Sequence, residues 1–349
     1  MQLALAGAGR ITIVHGLAAR DVTGLTITRV ASRTPATATE RARQVGAQPC
    51  TYAELPAGAD AVLVATPPGH HAADARQAIA AGARVLVEKP LATTLADADD
   101  LVERSQAAGH ALTYGENLAF APVVLAAVAA AARLRAAGPL RHLEVRALQG
   151  RPDWGGFLHA EWGGGVLFDL GVHPLAVALL LAGAGAQVVA VRARLDGAPD
   201  IDVDEYAEVE LIFADGLVGR VVTSWRATEP QWDLQVASDT GVVRADLIPH
   251  LTLEVDGEPV DLPTVAADVD LPQIHQFGYV AQLQAFAADA TGPDGPTEPA
   301  MGAEFGRFVL ELVCAASASA RDGGTDVAVP FTGRRDLTPL ELWRGPIPH

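Results

Sequence analysis

The first third of the chain alternates short apolar segments with alanine-rich segments of helical length. Five runs have the length and composition of buried strands: residues 2–6, 25–31, 61–65, 84–88 and 111–114. Helix-like stretches lie between them, at residues 11–20, 35–45, 70–81 and 94–108. This alternation is typical of a doubly wound parallel sheet, and we therefore predict an α/β fold.

After about residue 120 the pattern changes to strands joined by tight turns. Helices are predicted at 122–137, 166–182, 273–289 and 300–320, strands at 188–195, 207–214, 217–225, 233–237, 241–245 and 251–255, and a surface loop at 291–299. The turns at 214–216 and 255–257 carry the Asp-Gly signal of a hairpin, which favours an antiparallel sheet. The sequence thus predicts two domains, residues 1–120 and residues 121–349.

A glycine-rich turn follows the first predicted strand and opens the first predicted helix. Gly7 allows a tight turn, and Gly9 allows a dinucleotide pyrophosphate to approach the helix N-terminus, where Arg10 and Ile11 begin the helix. Thr12 stands where the third glycine of G-x-G-x-x-G is expected, and we expect it to loosen the contact between helix and strand or to displace the phosphates slightly. The alternative is a glycine turn with a purely structural role.

Two further strand ends carry candidate cofactor contacts. Ser32, Arg33 and Thr34 follow the second strand, where an acidic residue favours NAD and an arginine accommodates the 2′-phosphate of NADP. We therefore predict NADP(H) over NAD(H), the alternative being a solvated turn without discrimination. Residues 66–70, Thr-Pro-Pro-Gly-His, follow another strand. From this segment we predict cofactor contacts by Thr66, Pro67 and His70, although His70 and His71 also suit the start of a helix.

Lys89 is the only lysine among 25 lysine and arginine residues. It directly follows the predicted strand 84–88, in the segment Glu88-Lys89-Pro90. The ammonium group is a compact charge with a tunable pKa, whereas a guanidinium stays protonated and needs a wide planar slot. A single lysine in an arginine-using chain therefore predicts an active-site role; the alternative is a surface lysine.

A second candidate segment runs from Gly163 to Pro174 and contains Asp169 and His173. If the chain is helical from about residue 166, these two side chains lie at positions i and i+4 of one face. A carboxylate beside an imidazole orients the ring and shifts its pKa, as general acid–base catalysis requires. The alternative is an ordinary surface Asp–His pair.

The chain resembles the Gfo/Idh/MocA oxidoreductases, which include glucose–fructose oxidoreductase and inositol dehydrogenases. The resemblance rests on four segments in the order of that family: residues 7–11, 66–70, 88–90 and 164–173. It implies an N-terminal Rossmann domain with Glu88 among the cofactor-binding residues. It also implies a C-terminal α/β domain whose open, mostly antiparallel sheet binds substrate and serves oligomer contacts.

The resemblance also implies catalytic roles. His173 exchanges the proton of a secondary alcohol, Lys89 hydrogen-bonds the reacting oxygen, and Asp169 positions one of these two groups. Which of Lys89 and His173 carries the net proton transfer stays open, because coupled groups titrate together. Candidate substrate contacts are weaker, since packing explains several of them equally well: Glu116, Asn117, Trp154, Trp162, Tyr279 and His275.

The leading hypothesis is an NADP-dependent dehydrogenase or ketoreductase acting on a sugar, a polyol or a related alicyclic compound. Two alternatives are a redox-neutral enzyme with tightly bound nicotinamide, such as one that cleaves glycosides by transient oxidation, and a non-catalytic NADP-binding regulator. A net charge of −17 argues against nucleic acid as a partner. No metal-ligand spacing, secretory signal or membrane span is recognised, so we expect a cytoplasmic protein. An exposed sheet face would favour a homodimer or homotetramer.

Overall fold

The computed structural model describes residues 1–109, 112–263, 273–288 and 301–345. The chain forms two compact units. The nucleotide-binding unit comprises residues 1–92, 96–121 and 265–307, and the second unit comprises residues 93–95, 122–264 and 308–349. The C-terminal part of the chain thus returns to the first unit before it completes the second.

The elements up to residue 115 alternate strand and helix. They are β1 (Gln2–Ala6), α1 (Arg10–Ala18), β2 (Thr26–Ala31), α2 (Pro35–Val45), β3 (Gln48–Cys50), β4 (Ala61–Val64), α3 (Pro68–Ala80), β5 (Arg84–Glu88), α4 (Leu95–Ala107) and β6 (Leu112–Gly115). Among these, β3 was not anticipated, because three residues that include Pro49 give no strand pattern. Residue 111 of the last predicted strand lies outside the described residues.

The strands of the nucleotide-binding unit form a six-stranded parallel sheet in the order β3-β2-β1-β4-β5-β6. Its core is aliphatic and includes Leu3, Leu5, Val30, Leu63 and Leu86, all fully or almost fully buried. The strand order reverses between β1 and β4, and ligands of such sheets bind at the carboxyl ends of the strands near that point. The predicted doubly wound sheet is confirmed.

The remaining elements belong mainly to the second unit. They are α5 (Pro122–Ala137), β7 (Leu140–Gly150), α6 (Val166–Asp169), α7 (Val172–Ala182), β8 (Val188–Gly197), β9 (Asp204–Phe213), β10 (Val218–Ser224), β11 (Arg226–Ser238), β12 (Gly241–Ile248), β13 (Thr252–Val255), β14 (Glu258–Pro259), α8 (Tyr279–Ala288), α9 (Ala303–Arg321), β15 (Val327–Ala328) and α10 (Pro339–Arg344). Here α8 lies in the nucleotide-binding unit, and α9 runs from one unit into the other. The predicted loop at 291–299 lies outside the described residues.

A nine-stranded sheet in the order β14-β13-β12-β11-β7-β10-β9-β8-β15 dominates the second unit. All pairs are antiparallel except β7 with β10. Helices α5 and α7 pack on one face. The other face carries ion pairs between neighbouring strands, such as Arg146–Asp233 at 2.7 Å and Arg220–Glu208 at 2.7 Å. The predicted, mostly antiparallel sheet is confirmed, although the central strand β7 was missed.

The single helix predicted at 166–182 is wrong, because the chain forms two helices joined by an irregular turn. The Gly171 N–H bonds to the Val166 carbonyl, five residues back, and the His173 N–H bonds to the Leu170 carbonyl, three residues back. A Cβ on Gly171 would lie 2.6 Å from the Leu167 carbonyl oxygen, so glycine permits this tight turn. Asp169 therefore ends α6 and His173 lies in the first turn of α7.

Within the described residues, one helical stretch, Ala160–Ala182, is long and apolar enough to span a membrane by length and composition. The most apolar 18-residue window of this stretch is 89% buried inside the fold, and the stretch contains the α6–α7 break. A buried, interrupted stretch of this kind fits the core of a folded domain.

Candidate active site

The glycine turn lies between β1 and α1 and is held by its backbone. Gly7 has a φ of +109°, and its N–H donates to the Ala31 carbonyl at 3.0 Å. A Cβ at Gly7 would lie 2.4 Å from the Ala65 carbonyl oxygen, so only glycine fits. Thr12 is fully buried, and its hydroxyl donates to the Gly7 carbonyl at 3.1 Å. Thr12, which stands in place of the third glycine, thus donates a hydrogen bond to the backbone of the glycine turn.

The N-terminus of α1 fits an anionic group. Gly9 is the N-cap residue and provides no side chain to bind the first N–H groups of the helix. A Cβ on Gly9 would meet no heavy atom within 4 Å, so the space beside the turn is open. Arg10 is exposed and Ile11 is half-buried at the start of the helix. A helix N-terminus without a side-chain cap, open space and a nearby arginine are what a dinucleotide pyrophosphate requires.

At the end of β2, the structure adds an arginine that sequence reasoning missed. Arg33 is exposed, and the Ser32 hydroxyl lies 3.4 Å from the Thr34 N–H. Arg41, on α2, donates from Nε and Nη2 to the Ala8 carbonyl at 3.2 and 3.1 Å. Partial burial lowers the pKa of Arg41. Because the guanidinium bonds to the Ala8 carbonyl, it places a positive charge at the glycine turn.

The segment after β4 is bonded through a histidine other than the one predicted. Pro67 is the N-cap residue of α3, and the Thr66 hydroxyl donates to Asp74 at 2.7 Å. His70 is exposed. His71 is 1% exposed, and its ring nitrogens lie 2.7 Å from the carbonyl oxygens of Pro90 (Nδ1) and Thr66 (Nε2). The second histidine of the pair thus joins the turns that follow β4 and β5.

Glu88 and Lys89 lie at the carboxyl end of β5. Glu88 is buried, and its Oε1 lies 2.6 Å from Nε2 of His15, which is fully buried on α1. The other carboxylate oxygen accepts the Lys89 N–H at 3.1 Å. Lys89 itself is half-buried. Sequence reasoning did not find His15, because its partner is 73 residues away in the chain.

In the second unit, Asp169 and His173 are 3% and 7% exposed. The helix that carries Asp169 is capped by Asp204 of β9, whose carboxylate accepts N–H bonds from Gly165 at 3.1 Å and Leu167 at 2.8 Å. Burial raises the pKa of Asp204 to about 6, and these backbone N–H groups oppose the rise.

An aromatic side chain that sequence reasoning missed lies beside His173. The ring of Trp232, on β11, is tilted by 38° from the imidazole with the ring centroids 6.0 Å apart. Within the described part of the chain, the Trp232 indole N–H has no hydrogen-bond partner. Trp232 is therefore a further candidate for a substrate contact near His173.

Several predicted substrate residues have local structural roles. Glu116 is fully buried and accepts the Leu118 N–H at 3.1 Å, whereas Asn117 donates to the Phe277 carbonyl at 2.8 Å. Both side chains bind backbone within the nucleotide-binding unit. Tyr279 packs edge-on to His15, and burial together with the carboxylates of Glu88 and Glu116 raises its pKa.

The other predicted substrate residues lie at or near the surface. Trp154 is 41% exposed, and Trp162 is half-buried against Phe157 with the ring centroids 4.6 Å apart. His275 lies 2.8 Å from Asp21, within the nucleotide-binding unit. Trp154 thus contacts Phe157 but keeps an exposed surface, whereas Trp162 lies largely in packing contacts.

Family models cover most of the chain. Residues 1–116 match an oxidoreductase family with an NAD-binding Rossmann fold, and residues 126–244 match the C-terminal domain of the Gfo/Idh/MocA proteins. The chain belongs to the Gfo/Idh/MocA family of NAD(P)-dependent oxidoreductases, which confirms the resemblance seen in the sequence.

Individual relatives include enzymes and solved structures. A 4-carboxy-2-hydroxymuconate-6-semialdehyde dehydrogenase of Sphingobium sp. (strain NBRC 103272 / SYK-6) is 34% identical over 126 residues, which are 35% of this chain and 40% of the relative. A 1,5-anhydro-D-fructose reductase of Ensifer adhaerens is 37% identical over 116 residues, 33% of this chain and 35% of the relative. These matches span well under two thirds of either relative. The structure of GenD2 from gentamicin A biosynthesis, in complex with NAD, has a TM-score of 0.83 at 28% identity and covers 94% of this chain and 96% of its own.

Proposed function

We propose that this protein is an NADP(H)-dependent dehydrogenase or ketoreductase that acts on a secondary alcohol or ketone of a sugar, a polyol or a related alicyclic compound. The observation that carries the proposal is the position of the single lysine. Lys89 follows β5 on the same carboxyl edge of the sheet as the glycine turn after β1. A proton-bearing side chain at the nucleotide-binding edge suits the reduction or oxidation of a carbon–oxygen bond.

The preference for NADP(H) rests on the charges near the end of β2. Ser32 and Thr34 supply hydroxyls, Arg33 is exposed, and the Arg41 guanidinium lies at the glycine turn. The first acid after β2 is Glu40, which is exposed and paired with Arg43 at 2.8 Å. Arginine and hydroxyl groups suit a 2′-phosphate, whereas NAD-using sites place a carboxylate near the ribose 2′-hydroxyl. The GenD2 structure holds NAD, so the two proteins differ in cofactor under this proposal.

The chain's own residues supply the acid–base chemistry in this proposal. When bound, the nicotinamide carries the hydride. Lys89 donates a hydrogen bond to the reacting oxygen and orients the carbonyl or alcohol. His173 returns or removes the hydroxyl proton, and Asp169, which ends the preceding helix, orients His173. The burial of Asp169 and His173 excludes water around that proton transfer.

The substrate class is inferred from relatives and from the aromatic side chains. The Ensifer adhaerens relative is named as a reductase of an anhydro sugar, and GenD2 is named for gentamicin A biosynthesis. Trp154 is exposed and Trp232 lies beside His173, and indole faces suit the apolar faces of sugar rings. We therefore place cyclic hydroxyl-bearing compounds first in a substrate screen.

We also propose that the protein is a homodimer or homotetramer through the ion-paired face of the nine-stranded sheet. The pairs Arg146–Asp233, Arg220–Glu208 and Arg192–Glu210 place both signs of charge on that face. A two-fold interface needs a self-complementary surface, and a face with alternating charges meets this need.

The catalytic assignment is tested by turnover. Purified protein is mixed with NADPH and a panel of keto sugars, and with NADP and polyols, and nicotinamide absorbance is followed. In Lys89→Ala and His173→Asn, kcat should fall by about 10²- to 10⁴-fold, the range of general acid–base catalysis. Circular dichroism verifies that each variant is folded.

Lys89→Arg is the matched variant, because it keeps a positive charge but replaces the compact ammonium group by a planar one. Its kcat should fall nearly as far as that of the alanine variant. Turnover within about twofold of wild type in the Lys89→Ala or the His173→Asn variant would overturn the mechanism.

A further inference from the structure

Two fully buried histidines contact the residues on either side of Lys89. His15, on α1, contacts the side chain of Glu88, and His71, on α3, contacts the main chain of Pro90. Their exposures are 0% and 1%. Neither was selected from the sequence, and neither has a role in the chemistry proposed above.

The His15 contact fixes the Glu88 carboxylate and, through it, the backbone of Lys89. Nε2 of His15 lies 2.6 Å from Oε1 of Glu88, and Oε2 of the same carboxylate accepts the Lys89 N–H at 3.1 Å. Within the described ranges, Nδ1 of His15 has no hydrogen-bond partner. The ring therefore donates through Nε2, and the neutral tautomer leaves only an acceptor unpaired. The His15–Glu88 pair thus fixes the backbone on the N-terminal side of Lys89, within the segment Glu88-Lys89-Pro90.

The His71 contact fixes the backbone on the C-terminal side of Lys89. Its Nδ1 lies 2.7 Å from the Pro90 carbonyl oxygen, and its Nε2 lies 2.7 Å from the Thr66 carbonyl oxygen. A carbonyl oxygen only accepts, so the protonated ring donates to both carbonyls and a neutral ring donates to one of them. Burial lowers the pKa of His71, whereas the two carbonyls and the carboxylates of Glu88 and Asp74 favour its charged form. In either charge state the ring donates at least one hydrogen bond.

The two contacts together restrain a flexible residue. The strands β4 and β5 are neighbours, and His71 joins the segment after β4 to the segment after β5. A lysine side chain has several rotatable bonds and loses conformational entropy when it is ordered, so a rigid backbone beneath it reduces the number of positions that the amine samples. An active-site group is held within about 0.5 Å by such surrounding contacts.

We propose that His15 and His71 are positioning residues that fix Lys89: His15 acts through Glu88, and His71 acts through the Pro90 carbonyl. Only the expected effect on turnover rests on the function proposed above. The restraint of Lys89 itself is a property of the protein without substrate, and it is measured separately.

The single lysine makes the measurement direct. Protein grown with lysine labelled with ¹³C at Cε gives the NMR correlation of one residue, Lys89, without assignment. In the wild type we expect one sharp correlation away from its position in urea-unfolded protein. In His15→Leu and in His71→Leu we expect it to move toward the unfolded position or to split. A wild-type correlation at the unfolded position, or correlations unchanged in both folded leucine variants, would overturn the proposal.

Conservative and matched variants separate positioning from general destabilisation. In His15→Gln the amide donates near the position of Nε2, and in His71→Asn it donates near Nδ1, so both should restore much of the wild-type correlation. His250→Leu makes the same change at an exposed histidine and should leave the correlation unmoved. If the leucine variants are too unstable to purify, Glu88→Gln still tests the His15 contact, because its amide has one acceptor oxygen for the two bonds that the carboxylate accepts. An unmoved correlation in Glu88→Gln would contradict the proposal.

The catalytic consequence is read from kcat and KM separately. A displacement of about 1 Å at a reacting group costs about 100-fold in rate, so kcat should fall by up to that factor in the leucine variants while KM changes by less than about threefold. A purely structural role would lower the melting temperature and the active fraction without this split. If Lys89→Ala retains turnover, the proposed function fails. The NMR result still decides whether the two histidines restrain the lysine.

Discussion

Asp204 is a buried carboxylate whose charge should make the stability of the second unit depend on pH. It is 3% exposed and caps α6, the helix that ends in Asp169, by accepting N–H bonds from Gly165 and Leu167. Replacing it by asparagine keeps the shape and removes the charge. The amide has one acceptor oxygen in place of two, so Asp204→Asn should also lose one of the two bonds at every pH.

The magnitude follows from the raised pKa. Burial raises the pKa of Asp204 from 3.8 to about 6. The folded state therefore binds the proton more tightly than the unfolded chain, and stability is highest below about pH 4 and is lost as the pH rises through 6. A shift of about two pKa units corresponds to about 3 kcal/mol. The free energy of unfolding of the wild type, minus that of Asp204→Asn, should thus fall by about 2.4 kcal/mol between pH 4 and pH 7, because the unfolded carboxyl is already partly ionised at pH 4.

The assay is urea unfolding followed by circular dichroism at several pH values. Protein is kept at micromolar concentration, because the pI of about 4.9 lies inside the pH range. Asp202→Asn, at an exposed position two residues earlier, measures the effect of removing one negative charge without uncovering buried groups. A difference between wild type and Asp204→Asn that does not change from pH 4 to pH 7 would refute the reasoning.

Three further expectations concern glycines and assembly. A Cβ on Gly165 would lie 2.2 Å from the Asp204 carbonyl oxygen, so Gly165→Ala should lower the free energy of unfolding by about 1–3 kcal/mol. Gly185→Ala, in open space, is the control, and an equal loss in both variants would contradict the clash. Gly7→Ala should abolish nicotinamide nucleotide binding, because its Cβ would lie 2.4 Å from the Ala65 carbonyl oxygen. Gly24→Ala, also at positive φ but in open space, is the control and should bind the nucleotide normally. Nucleotide binding by both variants would contradict the predicted clash. Native mass spectrometry should show a dimer or tetramer, and a monomer at all micromolar concentrations would exclude the proposed assembly.

Most of the nucleotide-binding sheet follows from the sequence, because β1, β4 and β5 are buried almost throughout and read as continuous apolar runs. The second sheet was harder to predict. The strand β7 alternates buried and accessible residues, with Leu143, Val145 and Ala147 facing inward. The charged residues between them pair with neighbouring strands, and these partners are distant in sequence. The break between α6 and α7 is local, since Gly171 approaches the Leu167 backbone four residues earlier, but the apolar pattern runs through it without a break.

Local information is sufficient to predict the burial of His71, whereas the cofactor contact expected of His70 stays a prediction. The buried residues of α3 include Pro68, His71, Ala72, Ala75 and Ile79, which recur at helical spacing. His71 belongs to this stripe and the exposed His70 does not, so helical periodicity identifies which imidazole faces inward.

For His15 and Arg41 no local pattern was sufficient. His15 meets Glu88 only because the fold brings α1 to the carboxyl end of β5, and Arg41 reaches the Ala8 carbonyl from α2. Contacts between residues that are distant in sequence are set by the fold, and one sequence alone does not report them.

The most direct test of the account is a fluorescence titration of the purified protein with NADPH and, separately, with NADH, after any co-purifying nicotinamide is removed. Hydrogen bonds to a charged group contribute about 1.5–3 kcal/mol each, so NADPH should bind at least about tenfold more tightly. The substitutions Arg33→Ala and Arg41→Ala should weaken NADPH binding more than NADH binding. Tighter binding of NADH, or no binding of either nucleotide, would contradict the account.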